Sequence, residues 1–276
     1  MPSILLIDNG SRRADATRNL RRLAMQLAGR IGEPVHPVSL LHADQVAADQ
    51  LDGYPAEILE PALRRLLSAG VRDVILLPLF FGPSRALTRF VPDTAAVLSR
   101  EFGLFQIQTA RELCPLPDGE PRLVEILAAH VEQASAVSGY PATRVVLVDH
   151  GSPIPGVTAV RTWLGERLTQ RFGSGVSVGQ AVMERRTGAA YDFNGLLLEE
   201  LLRQMASEDR TTPVILAMLF VSAGRHAGAG GDIADIIVRV ESDHSGFRVY
   251  PSPLVGSHPG LIDILLSRLS HIQGDF

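Results

Sequence analysis

Two histidines stand where long apolar runs give way to small residues. His150 follows one such run in "VVLVDHGSPIPG", Val145 to Gly156, and His226 follows another in "VILAMLFVSAGRHAG", Val214 to Gly228. An imidazole accepts protons near neutral pH and is the commonest ligand of transition metals. Gly151 and Ser152 beside His150, and Ser222 and Gly224 ahead of His226, are small enough to let a ligand approach the backbone. Glu184 in "GQAVMERRTGAAYDF" ends a third apolar stretch, Val176 to Met183, and supplies a carboxylate. Two neutral imidazoles and one carboxylate can hold a divalent transition metal and leave coordination positions open. The same groups can take up protons. The plainer reading of Glu184 is a surface glutamate paired with Arg185 or Arg186, and of each histidine a satisfied structural residue.

Rival chemistries at "DHGS" lack their parts. A phosphate cradle would want G-x-G-x-x-G or a Walker lysine, and neither occurs. A nucleophilic Ser152 would want the G-x-S-x-G elbow. A structural zinc site would want four ligands, where only two histidines and one carboxylate can be named.

The elements that must position these groups occur twice. Asp8-Asn9-Gly10-Ser11 matches Asp149-His150-Gly151-Ser152 at an offset of 141 residues. "VILLPLFFGPSRAL", Val74 to Leu87, matches the run from Val214 at an offset near 140. "PLPDGEPRLVEILAAHV", Pro115 to Val131, matches "PLVGSHPGLIDILLSRL", Pro253 to Leu269, at an offset of 138. Three matches in the same order indicate an internal duplication. The boundary falls in "SAVSGYPATR", Ser135 to Arg144, giving lobes of 1–138 and 139–276.

Runs rich in Val, Ile and Leu at Ile4–Ile7, Val74–Phe81, Val145–Val148 and Val214–Val221 read as strands buried on both faces of a parallel sheet. Helical periodicity covers Ala14–Ile31, Ala56–Ala69, Val157–Phe172 and Tyr191–Ala206. The alternation predicts an α/β chain of two tandem doubly wound lobes, each a mainly parallel sheet flanked by helices, related by pseudo-twofold symmetry. Ligands of such sheets sit beyond the carboxyl ends of the strands, where strand order reverses, so His150, His226 and Glu184 belong on one rim.

Composition narrows the classes. A chain of 276 residues, 46% hydrophobic, can bury a large core. A net charge of −4 argues against general nucleic-acid affinity. All 26 basic residues are arginine, whose planar forks pair with carboxylates. A single cysteine, Cys114, excludes an intramolecular disulfide and a cysteine-only metal or iron–sulfur site, which suits a cytoplasmic setting. No run is long enough to span a membrane, and the N-terminus lacks the pattern of a signal peptide. His36, His130, His244 and His271 read as solvated positions, His258 as a capping residue, and His42 as roughly opposite Glu184 in the repeat.

Together "LLIDNGSRR", "VLVDHGSP" and "LFVSAGRHAGAGGDI" resemble the signatures of the class II tetrapyrrole chelatases, specifically the sirohydrochlorin chelatases that insert cobalt or iron. The resemblance covers essentially the whole chain, in the long two-lobed form. It implies a metal-insertion site of His150, His226 and Glu184, with no ATP and no permanently bound cofactor. Fe²⁺ or Co²⁺ would be the metal substrate and sirohydrochlorin, with its eight carboxylates, the partner. Arg225, Arg185, Arg186 and Arg12 would meet those carboxylates, and Gly151 and Ser152 would line the site. The absence of a histidine-rich tract leans towards the iron branch that completes siroheme over the cobaltochelatases of cobalamin synthesis. A non-catalytic tetrapyrrole or metal carrier would use the same residues. In the long forms the N-terminal lobe usually keeps the histidines. Here Asn9 and Ala86 stand in their places, so the C-terminal lobe is expected to carry the chemistry. With both lobes in one chain, a monomer is expected.

Overall fold

The structure is a computed structural model describing residues 2–274. Among these residues the strands form two four-stranded sheets in which every pairing is parallel. The first holds β1 (Ser3–Asp8), β2 (Val35–Ser39), β3 (Asp73–Pro78) and β4 (Gln106–Thr109), in the order β2-β1-β3-β4. The second holds β5 (Arg144–Asp149), β6 (Ser177–Val182), β7 (Val214–Met218) and β8 (Val249–Pro251), in the order β6-β5-β7-β8. The duplication read from the sequence is therefore a repeat of one topology.

The apolar runs form strands because both sheet faces are covered. Ile4 to Ile7 in β1 and Val145 to Val148 in β5 are all buried. Each such side chain contributes about 1.5–3 kcal/mol relative to leaving it in water. The covering helices are α1 (Ala14–Ile31), α2 (Leu59–Ser68), α3 (Val91–Phe102), α4 (Pro121–Ser138), α5 (Pro155–Phe172), α6 (Leu198–Glu208), α7 (Asp232–Asp243) and α8 (Gly260–Gln273).

Several boundaries differ from those expected. Strands β3 and β7 stop at Pro78 and Met218, short of Phe81 and Val221. Their pairing with β1 and β5 ends there, and the remaining apolar residues run out to the rim as loop. The helix expected from Tyr191 begins at Leu198, because residues 189–194 form a tight 3₁₀ turn ended by Gly195 at φ 78°. The helix expected from Ala56 begins at Leu59, since Ile58 bridges Ser39 in extended form.

The chain divides into two compact units. One runs through Pro115 and takes in the chain again from Ile262; the other is Leu116–Leu261. Sequence halves and compact units thus differ by a helix each. Helix α4, the end of the first half by sequence, packs on β7, β8 and α5 of the second unit. It buries Leu123, Ile126, Leu127 and Val131. In the first unit, Arg268 of α8 donates to the carbonyls of Glu112 at 2.8 Å and Leu113 at 3.0 Å. A helix goes where its apolar face is covered, and chain order does not decide that.

Candidate metal centre

Three neighbouring strands of the second sheet deliver the three side chains singled out in the sequence. His150 follows β5, Glu184 follows β6, and His226 lies on the loop after β7. Strand order reverses at β5 and β7, the position where open α/β sheets bind ligands. Backbone ladders extend past the strand ends to fix the register there. Met183 N donates to Asp149 O at 2.9 Å and Glu184 N to His150 O at 3.1 Å. Gly151, at φ +87°, lies against this ladder: a Cβ on it would stand 2.0 Å from the Glu184 carbonyl oxygen. Only glycine brings the His150 and Glu184 loops this close.

The side chains converge. His150 Nε2 is 3.1 Å from His226 Nε2 and 3.6 Å from Glu184 Oε1. The imidazoles meet edge to face, with ring centroids 4.5 Å apart. Donor atoms of all three residues lie within 4.8 Å of one another, and no other such group of His, Cys, Asp or Glu occurs among the described residues. Donors at these spacings can share one ion at roughly 2.0–2.2 Å, the usual reach of nitrogen and oxygen ligands. His150 and Glu184 are exposed and can exchange with solvent; His226 is buried. Burial pulls the His226 imidazole below its ordinary range, and His150 adds to this against the opposing pull of Glu184 and Asp232. A neutral imidazole is the form that ligates a metal or accepts a proton.

A buried polar network braces the loop from below. Arg161 of α5 donates to Asp149 Oδ1 at 2.7 Å and to the Asn194 carbonyl at 2.6 Å. Asp149 also accepts from Gly151 N at 3.1 Å. Asn194, fully buried, accepts from Ser152 N at 3.1 Å and donates to Ser152 O at 2.9 Å. Burial pushes the Asp149 carboxyl up, and the Arg161 guanidinium opposes it. Arg161 lies on the inner face of a helix where the pattern called for an apolar residue, and neither it nor Asn194 stood out in the sequence. Asp232 was equally silent, although it lies in the quoted "GGDI". Its Oδ2 is 2.7 Å from His226 Nδ1, at ion-pair distance but without the alignment of a hydrogen bond.

The remaining residues named from the sequence lie as follows. A cleft of about 370 Å³ is lined by His150, Gly151, Ser152, Glu184, Arg185 and Arg186, with Pro153. Arg185 donates to the Gly195 carbonyl at 3.1 Å, and Arg186 stacks 5.7 Å above the Tyr191 ring. The Ser152 hydroxyl is engaged as acceptor of the Ile154 amide at 3.1 Å. Arg225 is exposed, with Nε 3.2 Å from Asp232. Arg12 is exposed on the β1–α1 loop of the first unit. His258 accepts from Gly260 N at 3.1 Å and so caps α8. His130, expected in solvent, is buried edge-on against His258, because α4 turns that face to the second sheet's loops.

The first unit repeats the frame without these three side chains. Leu41 N donates to Asn9 O as Glu184 N does to His150 O, and a Cβ on Gly10 would meet Leu41 O as one on Gly151 would meet Glu184 O. Leu41 therefore takes the place of Glu184, and His42 falls one residue further on. Asp8 pairs with Ser39, 31 residues on, and Asp149 with Val182, 33 residues on, so the second unit carries two extra residues before this rim, which hid the register. Ladder contacts of Leu79 and Leu219 correspond, placing Ala86 opposite His226. Residues 86–90 form a π-helical turn running into α3, with Ala86, Leu87 and Phe90 against the core, where the second unit has the glycine-rich loop 227–231. Leu20 occupies the place of Arg161, so among the described residues no cation takes the arginine's place beside Asp8. Asp8 accepts from Ser39 Oγ at 2.7 Å. Burial pushes its carboxyl up to about 6, against the pull of the Ser39 hydroxyl and the Gly10 amide.

The family model of CbiX matches the sequence twice, over residues 3–134 and 144–272. No curated protein matches. Among solved structures, SirB from Bacillus subtilis with Fe³⁺ is similar over 98% of this chain and 95% of that one, with 16% identity and a TM-score of 0.69. SirB from Bacillus subtilis subspecies spizizenii, a sirohydrochlorin chelatase in complex with cobalt, is similar over 98% and 94%, with 16% identity and a TM-score of 0.66. CbiX, described as the terminal enzyme for biosynthesis of siroheme in denitrifying bacteria, is similar over 98% of both chains, with 15% identity and a TM-score of 0.58. At such identities these likenesses establish the fold.

Proposed function

The chain belongs to the CbiX family, and from that premise we propose that it is a sirohydrochlorin chelatase, inserting Fe²⁺ to give siroheme without ATP. The observation that carries the reading is the convergence of His150, His226 and Glu184 at the switch point of the second sheet, where the first unit has Asn9, Leu41 and Ala86. The second unit is the working one.

Insertion of a divalent metal into a free macrocycle expels two pyrrole N–H protons, so the site must both deliver a cation and receive protons. His226, buried and neutral, would hold the ion through Nε2 and, once the metal has left, accept one pyrrole proton there, while the second passes to His150 or Glu184 and on to solvent. His150 and Glu184, exposed at the mouth, take the ion from solvent and pass it inward. With one carboxylate and two neutral imidazoles the site keeps a net positive charge while the metal is bound and releases it readily to four pyrrole nitrogens. Arg185 and Arg186 on the cleft wall, with Arg225 and Ser152 nearby, meet the macrocycle's carboxylates. Nitrogen and oxygen donors of this kind separate Fe²⁺ from Co²⁺ weakly, so supply selects the metal. Fe²⁺ is favoured over Co²⁺ by the absence of a histidine-rich tract.

The test is anaerobic insertion followed by the change in sirohydrochlorin absorption with Fe²⁺ and, separately, Co²⁺. The wild type is expected to accelerate insertion, and His150→Ala and His226→Ala each to remove that acceleration. Equal rates with and without protein for both metals would refute the enzyme. Tight sirohydrochlorin binding without acceleration would instead identify a carrier.

A further inference from the structure

We propose that Asp232 is a positioning residue for His226: its carboxylate holds the ring with Nδ1 turned back towards α7 and Nε2 presented to His150 and Glu184. The inference deepens the metal-centre reading and rests on it for its functional meaning, while its geometry stands by itself. His226 is buried, yet its Nδ1 has no aligned hydrogen-bond partner, and the Asp232 carboxylate at 2.7 Å is the charged group beside it. A buried imidazole nitrogen with no partner is costly, and a carboxylate there favours the proton on Nδ1. Nε2 is then left with its lone pair towards the site. Metal-binding histidines almost always donate their other ring N–H to a carboxylate, a backbone carbonyl or a water, and that partner fixes tautomer and ring orientation.

Local backbone holds Asp232 in place. Asp232 N donates to Arg225 O at 3.2 Å and Ile233 N to His226 O at 3.1 Å, which closes the glycine-rich loop onto the first turn of α7. Gly231 makes this closure possible: a Cβ there would stand 2.7 Å from Arg225 O and 2.8 Å from His226 O. The first unit provides the internal comparison. Val91 and Ile233 are corresponding buried residues at the starts of α3 and α7, which places Phe90 where Asp232 stands. The unit with alanine in place of the histidine also has an apolar residue in place of the carboxylate. A residue serving only to start the helix would have no reason to disappear together with the imidazole.

The experiment reads the tautomer directly. Long-range ¹H–¹⁵N spectra of the full-length, metal-free protein are expected to show His226 protonated on Nδ1 in the wild type. Asp232→Ala should give a mixture or the Nε2–H form, and Asp232→Asn, whose amide oxygen can still accept, should restore the wild-type form. Co²⁺ titration followed by visible absorption should show affinity about 10–100-fold weaker in Asp232→Ala than in the wild type. Arg225→Ala removes the other partner of the carboxylate and should leave the tautomer unchanged. Should the alanine variant fail to fold, Asp232→Ser, which keeps a polar helix start, replaces it with the same expectation. The proposal is overturned if Asp232→Ala or Asp232→Ser keeps the wild-type tautomer, or if Arg225→Ala reproduces their effect. Failure of the wild type to bind Co²⁺ would count against the metal centre itself and leave the tautomer to decide on Asp232.

Discussion

The same substitution at corresponding positions of the two units should have opposite effects. Asp8 and Asp149 end equivalent strands, but Asp149 faces Arg161 at 2.7 Å where Asp8 has Leu20 in the arginine's place. Ionising Asp8 in the folded chain works against burial, which raises its carboxyl from 3.8 to about 6. A group held more tightly protonated in the folded state than in the unfolded one lowers stability as pH rises between those two values. The penalty is absent below the unfolded value, builds through the interval, and reaches at most about 3 kcal/mol at pH 7. Because the rim residue is only partly buried, water reduces this figure. Asp8→Asn should therefore stabilise the first unit at pH 7, with roughly half that gain at pH 5. Asp149→Asn removes the anion opposite a buried guanidinium and should cost about 3–5 kcal/mol. Urea unfolding at both pH values, with exchange protection of the amides of β1 and β5 read separately, gives the result. The reasoning fails if Asp8→Asn destabilises as Asp149→Asn does, or if its gain is the same at pH 5 and pH 7.

Two further outcomes follow from the site's geometry. Gly151→Ala puts a methyl group where the Glu184 carbonyl lies, at a positive φ that itself costs about 1–2 kcal/mol; Co²⁺ affinity should fall at least about tenfold. Gly10→Ala in the first unit should lower the melting temperature comparably and leave Co²⁺ binding intact. Arg185→Ala with Arg186→Ala should raise KM for sirohydrochlorin far more than it lowers kcat in the insertion assay, because carboxylate anchors bind substrate and transition state alike.

Much of the arrangement was legible because strand cores and strand-end loops carry their constraints locally. Buried parallel strands need continuous apolar runs, so β1, β3, β5 and β7 could be read, and the repeated Asp-x-Gly-Ser marked corresponding rims. That His150, His226 and Glu184 would share one rim could be read because each ends or follows such a run. What stayed hidden depends on contacts distant in sequence. Arg161 is a charged residue on a buried helix face and makes sense only with Asp149 and Asn194 beside it. Asp232 lies among glycines, and its partner is fixed by the closure of a loop. The displacement of His42 from the Glu184 position arises from two extra residues in a connection, which alignment of the flanking motifs does not register.

The crossing of the terminal helices bears on why a unit without the three convergent side chains persists. Helix α4 is encoded in the half that has Asn9 and Ala86, yet it covers β7 and β8 of the half that has His150 and His226. Point changes at the first unit's rim leave that cover intact, so side chains there can change one at a time. Deletion of the first half is another matter, since it would strip the second sheet of Leu123, Ile126, Leu127 and Val131. With the last helices exchanged in this way, the second sheet depends for its cover on residues encoded in the first half. A chain so built can change the side chains of one rim without being able to lose the half that carries them.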